Sequence, residues 1–208
     1  EALNEVSQEL SRFTDEAFLF EAVPKLLTQS LDFDRAGLML AGREGLQLVA
    51  HEFTGLASKL VQPLLDGIKS GRFNLPSHFM RSFREDKTVL VPNIWSDVEW
   101  PDILAEHLEA DAAVITPVRV KGRPIGILVA NMHSQDQPMD SSDIARFETF
   151  AAMVGLTIDN VRSYQTLETQ VIERTRSLQE AYQNLKDTQA QLVQSEKMAS
   201  LGILVAGI

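Results

Sequence analysis

The chain contains no cysteine. That excludes disulfides, thiolate metal sites, thiol redox chemistry and thioether attachment of a chromophore. No apolar run approaches the roughly eighteen residues that cross a bilayer, and no signal peptide is visible, so the sequence reads as a cytoplasmic piece without membrane contact. An anchor upstream of Glu1 stays open. Basic residues are scarce: 19 Lys and Arg against 29 Asp and Glu give a net charge of −10. Phosphate recognition needs clustered cations, so nucleic acid and anionic membranes are poor partners, and proteins or a small-molecule effector are better ones. Proline is absent after Pro138, and from Ser141 onward the only glycines are Gly155, Gly202 and Gly207. Nothing there breaks a helix.

That stretch predicts one helix from about Ser141 to Ile208. Asp140 or Ser141 is placed to accept hydrogen bonds from the first turn, and Asp143 suits the positive end of the helix dipole. Tyr164, Val171, Leu178, Leu185, Leu192 and Ala199 recur at heptad spacing, which predicts a parallel coiled coil. The second rail is poor: Leu167, Arg174, Ala181, Thr188, Ser195 and Gly202. A seam with one strong and one weak rail places two packings of the paired helices close in free energy, which suits a relay, although a loosely packed stalk has the same pattern. A helix of about 100 Å at 1.5 Å per residue is unstable alone in water, so homodimerisation is expected. Its interface is assigned to Tyr164, Leu167, Val171, Leu178, Leu185, Leu192 and Ala199.

About 150 residues remain, with 44% hydrophobic content in the chain as a whole, enough for one ordinary core. Residues 1–12 pattern as a short amphipathic helix continuing an incoming linker, with Leu3, Val6 and Leu10 on one side. Thr14 or Asp15 caps a second helix through Ser30. Residues 35–41 and 45–54 read as a hairpin, 57–66 and 77–85 as helices, 88–94 as a buried strand and 100–110 as a helix with Pro101 in its first turn. Residues 112–120 and 123–132 form a second hairpin across Lys121-Gly122. This order implies an α+β domain, an antiparallel sheet with helices packed on it.

The run Ile115-Thr116-Pro117-Val118-Arg119-Val120-Lys121-Gly122-Arg123-Pro124-Ile125-Gly126-Ile127-Leu128 resembles the central hairpin of a GAF domain. The resemblance covers about Thr14 to Arg162 and implies a sheet of about six strands, one face carrying dimer-forming helices and the other a small-molecule pocket. Members that bind cyclic nucleotides carry an Asn-Lys pair and a Phe followed by Asp-Glu; Asn131 and Asp143 match, whereas Met132, Met139 and Ile144 do not. Bilin-binding members and the family's methionine sulfoxide reductases depend on cysteine. A second run, Gln191 to Gly207 (QLVQSEKMASLGILVAG), resembles the lead into the phosphoacceptor histidine of sensor histidine kinases, ending before the Ala-His-Glu signature. The resemblances together imply a linker helix at 1–13, a GAF-like sensor domain at 14–162, a signalling coiled coil at 163–195 and the start of a dimerisation helix at 196–208. They imply no catalytic residue or cofactor in this piece. ATP and Mg, and a response regulator partner, belong to the parent two-component kinase.

For an unknown ligand, the candidate contacts are Phe79, Phe83, Trp95, Trp100, His107 and Thr116, the aromatics as an apolar wall and Thr116 as a hydroxyl pointing into the pocket. Phe73 joins the aromatic group, and Arg81, Arg84 and Arg119 are candidates to clamp an anion. His51, His78, His107 and His133 lack ligand spacing and read as surface or packing residues, so no metal site is expected. No phosphate cradle, carboxylate pair or nucleophile motif is present.

Overall fold

Alternation along the strands sorts side chains to both faces of one sheet, and each face is covered. The computed structural model describes residues 2–43, 45–53, 58–70, 75–100, 105–106, 110–132 and 139–206. Strands β1 (Arg35–Gly42), β2 (Gly45–Phe53), β3 (Val89–Val91), β4 (Ala112–Val120) and β5 (Arg123–Met132) pair antiparallel in the order β2-β1-β5-β4-β3. Among the described residues the sheet has five strands, against an expectation of about six. The residues themselves supplied five strand candidates, and the other described segments of the domain are helices, turns or connecting loops.

On one face, Leu38, Val114, Val118, Leu128 and Ala130 meet three helices: α1 (Ala2–Leu10), α2 (Glu16–Ser30) and the first part of α5 (Ser141–Ala206). Val6 and Leu10 of α1 are buried there, so α1 packs into the domain core. Asp15 caps α2 by accepting the Ala17 N–H at 2.8 Å and the Phe18 N–H at 3.3 Å. Asp140 caps α5 in the same way, accepting from Ser142 and Asp143 while the Asp143 carboxylate reaches back to the Asp140 N–H. Those backbone donors, Asp143 first, hold the Asp140 carboxyl below its ordinary pKa.

The opposite face carries Met39, Ala113, Ile115, Ile127 and Val129 under a second core. Phe79 and Phe83 from α4 (Ser77–Glu85), Ile94 from a short 3₁₀ turn, Trp100 and Ile68 from α3 (Ser58–Lys69) pack onto it. A bulge in the first hairpin pairs Leu38 with Ala50 but Met39 with Leu48, leaving Val49 over. Leu46 and Leu48 therefore join the second core while Ala50 joins the first. At the β4–β5 turn both Lys121 (φ 52°) and Gly122 (φ 73°) are left-handed, the pattern of a tight hairpin.

Residues 1–162 and 163–208 are separate compact units. In the second, every described side chain from Tyr164 to Met198 is exposed, including Leu167, Val171, Leu178, Leu185 and Leu192 of the heptad positions. Ile172, Tyr182 and Val193 add apolar surface outside the expected rails. The side chain of Ala199 lies outside the described residues.

Within the first unit α5 comes down on β4 so closely that a Cβ on Gly155 would lie 2.1 Å from the Arg119 carbonyl oxygen. Backbone has no rotamer with which to yield. Replacing Gly155 with Ala is expected to lower stability by about 1–3 kcal/mol in urea titration, as overpacked sites do; an unchanged midpoint would show that the helix has room to lift.

Candidate functional site

The second core is apolar at its centre and polar along one margin. Phe79 meets Trp100 edge-on, with ring centroids 5.8 Å apart and planes at 77°. Trp100 is 3% exposed and Phe79 6%, and Phe83 packs beside them. Three of the six expected contacts, Phe79, Phe83 and Trp100, are thus brought together. Trp95 is not among them. It is 55% exposed, with its indole N–H donating to the Asp111 carboxylate at 3.2 Å. Phe73, His107 and His133 lie outside the described residues.

Thr116 is buried, but on the other side of the sheet. It shares the parity of Val114 and Val118, which face the helices, whereas Ala113 and Ile115 face the second core. Its hydroxyl meets that of Thr88 at 2.6 Å. A strand turns a side chain through the sheet with every one-residue step, so a pocket role for Thr116 required the opposite parity. Arg81 and Arg119 are engaged by Glu99 and Asp86 respectively, and Arg84 is exposed.

The polar margin comprises residues that composition and spacing did not single out as a site. Arg35 and Asn131 are direct cross-strand neighbours on β1 and β5, buried at 3% and 4% exposure, on the second-core side. The Asn131 amide nitrogen and the Trp100 indole nitrogen have no hydrogen-bond partner among the described residues. A buried donor without an acceptor costs free energy, so each of these two nitrogens favours a hydrogen-bond acceptor beside it over further hydrocarbon. Asn131 had stood out only as a match to the cyclic-nucleotide pattern, and its place beside Arg35 is visible only once register is known. Among the described residues no group of His, Asp and Glu is arranged to hold a metal.

A polar clasp joins α4 to the segment that carries Trp100. The buried His78 ring pairs Nε2 with the Asp97 carboxylate at 3.0 Å, and Arg81 donates to Nδ1 at 2.5 Å. In the neutral ring Nδ1 accepts and Nε2 carries the hydrogen given to Asp97, and in the protonated ring the positive charge attracts the same carboxylate. Glu99 closes the ring by accepting from Ser77 and Arg81, while its own N–H donates to Asp97 at 2.9 Å. Burial raises the Asp97 pKa, but the His78 hydrogen bond, the Glu99 and Trp100 backbone donors and the attraction of His78 outweigh it, leaving the group below its ordinary 3.8.

Because the folded carboxyl binds its proton less readily than the unfolded one, the clasp stabilises the fold above that ordinary value. The contribution is lost as pH falls through the lower folded value. Trp95 and Trp100, the only tryptophans, both flank the clasp. Their fluorescence is expected to shift on acidification below about pH 4, and the step should vanish in Asp97→Asn. An unaltered acid step in that variant would remove Asp97 from the clasp.

Against known proteins, a family model described as GAF domain matches residues 15–158. No curated protein matches the chain. Among solved structures, a domain of a putative two-component sensor histidine kinase from Sinorhizobium meliloti 1021 is similar at 22% identity and TM-score 0.54, over 74% of this chain and 97% of that one. Residues 122 to 287 of a methyl-accepting chemotaxis protein are similar at 14% identity and TM-score 0.56, over 76% and 98%. Free methionine-R-sulfoxide reductase from Neisseria meningitidis, solved in complex with its substrate, is similar at 16% identity and TM-score 0.61, over 79% and 90%. At these identities the likeness is one of fold. The match over residues 15–158, on a five-stranded sheet with helices on one face and an aromatic core on the other, establishes that the chain belongs to the GAF domain family.

Proposed function

We propose that this chain is the sensory and dimerising region of a two-component sensor histidine kinase. Its GAF domain receives a signal and α5 relays it, as a parallel coiled coil of two copies, toward a phosphoacceptor histidine beyond Ile208. The parent uses ATP and Mg and passes the phosphoryl group to a response regulator. The observation that carries this reading is the continuity of α5, one helix from Ser141 to Ala206, which enters the run Gln191 to Gly207 that resembles the lead into a phosphoacceptor site. Signalling-protein neighbours, a sensor kinase and a chemotaxis receptor, support the sensory part.

Homodimerisation through Tyr164, Leu167, Val171, Leu178, Leu185, Leu192 and Ala199 follows from the physics of exposed apolar side chains on a helix. Leu178 is 72% exposed and Leu185 65%, and pairing is the available way to bury them in water. A ligand-free GAF platform that transmits an upstream signal is the second reading. The buried donors of Trp100 and Asn131, without a partner among the described residues, favour a ligand-binding domain over that platform.

Three measurements test these statements. Full-length gene product given ATP and Mg should become labelled on a histidine in the first turns after Ile208, and label elsewhere or none would overturn the kinase reading. Sedimentation should give a dimer at micromolar concentration, and Leu178→Asp with Leu185→Asp a monomer, each buried leucine contributing about 1.5–3 kcal/mol. A metabolite that raises the melting temperature of wild type but not of Phe79→Ala, with dimerisation intact, supports sensing; a screen with no such compound favours the platform.

A further inference from the structure

The short connection between α4 and β3 is pinned to three different parts of the domain. Ser82, fully buried on α4, donates to the Lys87 carbonyl at 2.8 Å, and the Ile115 carbonyl of β4 lies at 3.4 Å. Asp86, left-handed at φ 55°, ends the helix. It accepts from Arg119 Nε at 2.7 Å, and its carbonyl accepts from the same guanidinium at 2.8 Å. Thr88 then crosses to the far side of the sheet. Its Oγ1 lies 2.6 Å from Thr116 Oγ1 and 2.5 Å from Glu148 Oε1 on α5.

The direction of these bonds follows from the proton count. An ionised Glu148 only accepts, so the one Thr88 proton goes to it, and Thr116 donates to Thr88. A hydroxyl that accepts one bond while donating another to a carboxylate polarises the chain and strengthens both links. Hydrogen bonds weaken steeply when misaligned. Residues 86 and 87 are themselves held, so little slack remains between the last turn of α4 and Thr88. At one end of this path α4 carries Phe79 and Phe83 in the second core. At the other, Glu148 stands on the solvent side of α5, which is seated in the first core by Phe147 and Phe150.

We propose that Thr88 is a coupling residue: a change in how α4 lies over the second core is passed to α5 through the hydrogen-bond chain from Thr116 through Thr88 to Glu148. Any event that repacks Phe79, ligand binding included, moves the connection and changes how firmly the first turns of α5 are held. This holds whatever follows Ile208 and whichever reading of the second core is right.

Hydrogen exchange by mass spectrometry on the whole chain tests it, in wild type, Phe79→Leu, Glu148→Ala and the double variant. Glu148 is on the surface and its replacement leaves both cores filled, so that variant folds. Phe79→Leu alone should speed exchange of the α5 amides at residues 144–152 about five-fold, the size expected for one net hydrogen bond. In the Glu148→Ala background the same substitution should add no further change there. Thr88→Val should behave as Glu148→Ala, and Thr88→Ser, which keeps the hydroxyl, as wild type. Amides of α1, in the same first core, should be unaffected by Phe79→Leu. The proposal is overturned if Phe79→Leu loosens α5 equally with and without Glu148, if it loosens α1 to the same extent, or if it leaves α5 unchanged while loosening α4.

Discussion

The contact between the backbone of α5 at Gly155 and the backbone of β4 at Arg119 sets the arrangement of the domain. Where a missing Cβ lets helix and strand meet without intervening side chains, the helix cannot slide or rise without losing the packing of Phe147, Phe150, Val154 and Ile158. Lys121 and Asp159 at 3.2 Å, and the Arg162 pair with Glu16 of α2, add exposed charge contacts beside it. Pairs so open to solvent contribute little to stability, and their role is orientation. The seated part of α5 and its exposed continuation are one uninterrupted helix.

The two cores differ in kind. The first packs aliphatic side chains such as Leu19, Leu27, Leu38 and Leu128 together with Phe33, Phe147 and Phe150 between sheet and helices. The second mixes aromatic rings with a polar margin, and the segment covering it is clasped by His78, Asp97 and Glu99 rather than by apolar contact alone. The second face is held partly by hydrogen bonds along its edge, whereas the first holds α5 through packed side chains.

Much of the fold was legible from residues. Lys121-Gly122 marked its hairpin because adjacent left-handed residues are tolerated there, and Asp15 and Asp140 marked helix starts because their carboxylates can take orphan N–H groups. The antiparallel sheet and its helices came out as the resemblance implied, with five strands among the described residues. Within the site, Phe79, Phe83 and Trp100 came together as aromatics concentrated in one stretch suggested. Trp95, only five residues from Trp100, went to the surface because its position in a 3₁₀ turn directs the indole toward Asp111. Composition treats the two tryptophans alike.

The amino-acid sequence by itself determined the element order, the proline-free helix from Ser141 and its heptad rail, because these depend on local backbone preference and on the spacing of apolar residues along one chain. Tertiary structure decided which face each strand residue took. The bulge at Val49 sends Leu48 and Ala50 to opposite cores, and parity carries Thr116 away from the aromatic face and into a chain with Thr88 and Glu148. Register is a property of paired strands, so no single segment contains it. Residues far apart in sequence, Arg35 beside Asn131 and Thr88 beside Glu148, acquire their roles only when that pairing is made.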